Sequence, residues 1–91
     1  MAEVAEVVEV NVRASLLLYS RPGCHLCDEM KAVVDRIGRS IPLDLQVVDI
    51  SGDPELERLY GLEIPVLLVN GRKVAKYRIE PDALRRALAV V

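Results

Sequence analysis

The order of apolar and polar positions divides the chain into short segments of two periods. Ser15-Leu16-Leu17-Leu18-Tyr19 is an apolar run closed by Ser20-Arg21-Pro22-Gly23. A run apolar on both sides suits a central strand with helices over each face. From Cys24 to Gly38 the period changes. Cys27, Met30, Val34 and Ile37 recur at helical spacing, while Asp28, Glu29, Lys31, Asp35 and Arg36 mostly fill the remaining positions. Gly38 is the expected stop. Leu43-Asp44-Leu45-Gln46-Val47-Val48-Asp49 alternates and then turns apolar, as a second strand should. Asp53-Pro54-Glu55 places a capping side chain ahead of a first-turn proline, which predicts a short helix from there to Tyr60, ending at Gly61.

Ile64-Pro65-Val66-Leu67-Leu68-Val69 predicts a third strand, with Pro65 at its entrance where a missing N–H is tolerated. Asn70-Gly71 is a strong hairpin signal and leads into an alternating fourth strand, Arg72 to Arg78. Pro81 opens a last helix, with Leu84, Ala87, Leu88 and Val91 on one face and Arg85 and Arg86 outward. The order β-α-β-α-β-β-α predicts an α/β domain. Its first β-α-β unit should be parallel with a right-handed crossover, and its final hairpin antiparallel. A four-stranded mixed sheet flanked by helices follows. Residues 1–12 read both ways: Glu3, Glu6 and Glu9 mark a helical face, while Glu9-Val10-Asn11-Val12-Arg13 alternates like a strand. They are treated as an appendage, with partial disorder allowed for, to a domain of residues 13–91.

A length of 91 residues makes one domain. Trp and Phe are absent, so a chain that is 52% apolar must build its core from Leu, Val, Ile and Ala. Tyr19, Tyr60 and Tyr77 do not make the aromatic platform that stacks bases. A formal net charge of −2 does not suit phosphate binding either, and no nucleic-acid partner is expected. The acidic start ahead of Arg13 is unlike a secretory signal. No apolar run nears the roughly 20 residues that cross a bilayer, so no membrane association is expected. The expected compartment is the cytoplasm, where structural disulfides do not persist. Two cysteines in that setting need a chemical reason.

Cys24-His25-Leu26-Cys27, at the junction of a strand and its helix, supplies one. The free N–H groups and partial positive charge of a helix N-terminus stabilise a thiolate and lower its pKa. The thiolate is the nucleophile of disulfide exchange. Cys24 falls at the tip beside Gly23, and Cys27 falls in phase with Met30, Val34 and Ile37. Cys24 is therefore the expected attacker and Cys27 the sheltered thiol that resolves the mixed disulfide. Asp28 and Glu29 oppose the thiolate and Arg21 favours it, while His25 is either an exposed spacer or a tuning group. Other readings of the cysteines stay open. A zinc site within the chain lacks two ligands. An iron–sulfur cluster could draw thiols from two chains. Two small buried side chains on a redox-silent interaction module would account for Cys27 but not for Cys24. The leading reading needs no cofactor and no metal. Arg72, Lys73, Lys76 and Arg78 either steer an anionic partner or protect an edge strand.

The residues from Leu16 to Cys27 resemble the active-site segment of glutaredoxins, and Ile64-Pro65-Val66 resembles the strand entrance of thioredoxin-fold proteins. Over residues 14–91 the chain is similar to short glutaredoxin-like proteins of bacteria and archaea. The resemblance implies a thioredoxin-like fold with strand order 2-1-3-4. It also implies a cis Ile64–Pro65 bond against the Cys24 sulfur, substrate pairing at the Ile64 backbone, and a substrate carboxylate near Arg21. The implied activity is that of a thiol–disulfide oxidoreductase reducing disulfides of proteins or small molecules. Its electrons would come from a thiol reductant, either glutathione or a thioredoxin-reductase-type system. Glutaredoxins usually carry Pro-Tyr between the cysteines and Thr-Val before the proline, where this chain has His25-Leu26 and Glu63-Ile64. Their glutathione-gripping Gly-Gly-acid segment is absent, with Glu80-Pro81-Asp82 nearby. Dependence on glutathione is thus not implied.

Overall fold

In the computed structural model, which describes residues 13–89, the first apolar run forms β1 (Ala14–Ser20) at an interior position of the sheet. Residues 1–12, with the expected appendage, and residues 90–91 lie outside the described residues. β1 pairs in parallel with β2 (Leu43–Asp49) on one side and antiparallel with β3 (Val66–Val69) on the other. β4 (Arg72–Lys76) closes the order β2-β1-β3-β4. Three helices link and cover the strands: α1 (His25–Gly38), α2 (Pro54–Tyr60) and α3 (Pro81–Ala89). This is the thioredoxin-like fold.

The core follows from the two periodicities. Leu16 and Leu18 project from one face of β1 beside Leu67 and Val69 of β3, and all four are buried. Onto that face α1 lays Met30, Val34 and Ile37, and α3 lays Leu84 and Leu88. Each fully buried side chain of this size contributes about 1.5–3 kcal/mol. The capping side chain that starts α2 acts as its type predicts, because Asp53 Oδ1 accepts from the N–H groups of Glu55 and Leu56, at 3.1 Å each.

Three boundaries differ from the pattern-based reading, each for a local reason. β3 begins at Val66, because the N–H of Ile64 is donated to the Tyr60 carbonyl (3.1 Å) and Pro65 has none to give. β4 stops at Lys76, because Tyr77 takes a left-handed φ of 72° that no strand continues through. Gly38 stays inside α1, and the cap is Arg39 with an ordinary helical φ of −71°.

Candidate active site

β1 delivers the chain to a turn at Arg21–Gly23, where Gly23 adopts a φ of 81°. Nothing lies within 4 Å of a Cβ built there, so glycine is needed for the handedness of the backbone, not for room. Cys24 is then extended (φ −89°, ψ 109°) and is the N-cap of α1. Its Sγ accepts the backbone N–H of Cys27 at 3.1 Å. A cap normally satisfies such an orphan N–H with oxygen, and here sulfur does it. Cys24 is half-buried and Cys27 is 2% exposed, in line with the buried face of α1. The two are joined as a disulfide, with Cα atoms 5.2 Å apart, so the molecule described is the oxidised form. His25, Asp28 and Glu29 are exposed around them.

The antiparallel register pairs Tyr19 of β1 with Val66 of β3. Pro65, just ahead of Val66, therefore lies level with the end of β1, where the chain leaves for Cys24. The Ile64–Pro65 bond is cis, as the resemblance implies. Pro65 is buried and Ile64 half-buried. Of the backbone groups of Ile64, the N–H is donated to Tyr60, and the carbonyl accepts nothing among the described residues. The substrate-pairing edge expected there thus offers an acceptor.

Arg21 has a partner within the chain. Its guanidinium is bound by the carboxylate of Glu57 on α2, each side chain about one-third exposed. The expected role beside a substrate carboxylate must compete with this pair. The rings of Tyr19 and Tyr60 stack with centroids 4.3 Å apart and planes at 16°. Burial, and then the neighbouring Tyr60 hydroxyl, push the Tyr19 phenol above its ordinary pKa. Glu63 is bridged by Lys73 (2.7 Å) and Lys76 (3.8 Å) from β4. The hydrogen bond from Lys73 holds the Glu63 carboxyl below its ordinary pKa, against a smaller opposing effect of burial. β4 is an edge strand, as one of the two readings of its basic stretch requires, and Lys73 and Lys76 also pair with Glu63.

Glu57, Tyr60 and Tyr77 are the site neighbours that sequence reasoning missed, together with the pairing of Lys73 with Glu63. The Arg21–Glu57 pair, the Tyr19–Tyr60 stack and the Tyr77–Leu62 bond cross the fold, and no spacing along the chain reports them. Among the described residues no group of three or more His, Cys, Asp or Glu side chains could hold a metal ion. No helix among them is long and apolar enough to cross a membrane.

The family model described as "Glutaredoxin-like domain (DUF836)" matches residues 15–89. The chain belongs to this glutaredoxin-like family. An NMR structure of a Nitrosomonas europaea protein is 32% identical, with a TM-score of 0.75, over 85% of this chain and 93% of that one. A crystal structure of an X. campestris protein is 34% identical, with a TM-score of 0.73, over 84% of this chain and 97% of that one. An uncharacterized protein of Mycobacterium tuberculosis is 24% identical over 82 residues, 85% of this chain and 84% of the relative. A thioredoxin variant from Halobacterium salinarum, 20% identical with a TM-score of 0.63 over 99% of this chain and 83% of that one, shares the fold.

Proposed function

We propose that this glutaredoxin-like protein is a thiol–disulfide oxidoreductase that cycles Cys24 and Cys27 between dithiol and disulfide. The observation that carries the reading is the asymmetry of the pair: Cys24 caps a helix and is only half-buried, while Cys27 is 2% exposed one turn inside. In the reduced protein the Cys27 N–H and the helix end stabilise a thiolate at Cys24. That thiolate attacks one sulfur of a substrate disulfide. The S–S bond breaks, the leaving thiolate takes a proton from water, and a mixed disulfide remains on Cys24. The Cys27 thiol, losing its proton, then attacks the Cys24 sulfur and releases the second substrate thiolate, which is protonated in turn. The substrate gains two electrons and two protons, and the Cys24–Cys27 disulfide is left. A dithiol or two monothiols restore it by the reverse exchange.

The buried Pro65 and the unpartnered Ile64 carbonyl shape the surface beside Cys24 on which the substrate docks. The substrate is a disulfide in a protein or a small molecule, and the reductant a thiol system. In a test, the protein with dithiothreitol as electron source reduces insulin or bis(2-hydroxyethyl) disulfide, and Cys24→Ser abolishes the catalysed rate. Undiminished activity in Cys24→Ser overturns the mechanism.

A further inference from the structure

The loop Leu62–Pro65 sits between α2 and β3; Lys73 and Lys76 of β4 pair with its Glu63 carboxylate, and among the described residues Tyr77 alone holds its backbone from the side away from α2. The Tyr77 phenol donates to the Leu62 carbonyl (3.1 Å), and its backbone N–H donates to the Pro65 carbonyl (2.8 Å). The two bonds grip the loop at both ends. From inside, the Tyr60 carbonyl takes the N–H groups of Glu63 (2.8 Å) and Ile64 (3.1 Å). To bring its ring and its N–H to one loop, Tyr77 adopts a φ of 72°, a conformation bulky side chains rarely take. Such strain persists where the surroundings over-determine it, and it concentrates at functional sites. Packing does not explain it: Tyr77 is 41% exposed, with the Lys76 ammonium 5.5 Å from its ring centroid. The grip leaves the carbonyl of half-buried Ile64 without a partner among the described residues, beside the side chain of Leu62, which is 94% exposed.

We propose that Tyr77 is a positioning residue: it holds the Leu62–Pro65 loop in the shape that receives an extended segment of a protein disulfide. The inference rests on the oxidoreductase reading and adds the residue that shapes its docking loop, for a substrate whose polypeptide extends from the disulfide toward the Ile64 carbonyl and Leu62. A small neutral disulfide needs the Cys24–Cys27 pair alone.

The test compares the full-length protein with Tyr77→Phe and Tyr77→Gly, using insulin and bis(2-hydroxyethyl) disulfide as probes with dithiothreitol as reductant. Tyr77→Phe keeps the ring and loses the bond to Leu62. Tyr77→Gly accepts the positive φ and so keeps the turn. Both should raise KM for insulin about three- to tenfold, with kcat and the rate on the small disulfide unchanged. An unmoved KM for insulin in Tyr77→Phe overturns the assignment, as does an equal loss on both probes. An inert wild-type protein overturns the oxidoreductase reading itself, a result distinct from an active wild type with indifferent variants.

Discussion

The carboxylate of Glu57 binds the guanidinium of Arg21 and so ties the turn ahead of Cys24 to α2. The pair draws on the positive charge nearest the cysteines in sequence and leaves Asp28 and Glu29 without an ion-pair partner among the described residues. Glu57→Gln frees the guanidinium. The rate on glutathione disulfide, which carries carboxylates, should then rise about two- to fivefold relative to neutral bis(2-hydroxyethyl) disulfide. Because both side chains are partly solvated, the stability lost should stay within about 1 kcal/mol. Parallel kinetics and a urea melt check both halves, and an equal change on the two disulfides would contradict the assignment.

Tyr19 carries the second link to α2, through its stack on Tyr60. Its phenol is raised above the ordinary tyrosine value, so the folded state favours the protonated form. The resulting stability is complete below the ordinary tyrosine pKa and is lost as pH rises through the higher folded value. Tyr60→Phe keeps the ring and removes the neighbouring hydroxyl. Tyr19 should then titrate lower than in the wild type but still above the ordinary value, because burial is the larger cause. Phenolate absorbance, differenced against Tyr19→Phe, measures it.

Gly61 connects α2 to the Leu62–Pro65 loop by close approach. A Cβ there would stand 2.5 Å from the Glu57 carbonyl oxygen, which is fixed by accepting the Gly61 N–H at 2.8 Å. Gly61→Ala should therefore destabilise the protein by about 1–3 kcal/mol. Gly38 is the counterpart. It lies inside α1, and a Cβ there meets only the Leu43 side chain, at 3.5 Å. Gly38→Ala should be stabilising by about 0.5–1 kcal/mol, from helix propensity. Thermal or urea melts of the two variants should move in opposite directions.

Elements and faces were legible in the sequence because they depend on neighbours three or four positions away. Cys27, Met30, Val34 and Ile37 form the buried face of α1 as their spacing predicts, and Asn70-Gly71 makes the turn between β3 and β4. The helix-tip place of Cys24 was legible for the same reason. The cis bond at Pro65 was not in the local pattern and came only with the family resemblance. The partners of Arg21, Ile64 and Pro65 were legible in neither way. Glu57 and Tyr77 reach Arg21 and Pro65 only after the sheet has formed, Tyr77 from a φ its residue type disfavours, while Tyr60 takes the Ile64 N–H locally in a turn that the apolar pattern does not mark.

The division of labour between the two sulfurs is the central claim, and trapping the mixed disulfide tests it most directly. Reduced Cys27→Ser and Cys24→Ser proteins are each mixed with oxidised insulin under non-reducing conditions and read by intact mass. Cys27→Ser should hold a covalent insulin adduct on Cys24, because no resolving thiol remains. Cys24→Ser should hold none, since Cys27 is only 2% exposed. An adduct on Cys27 in the Cys24→Ser protein, or no adduct in the Cys27→Ser protein, would contradict the account.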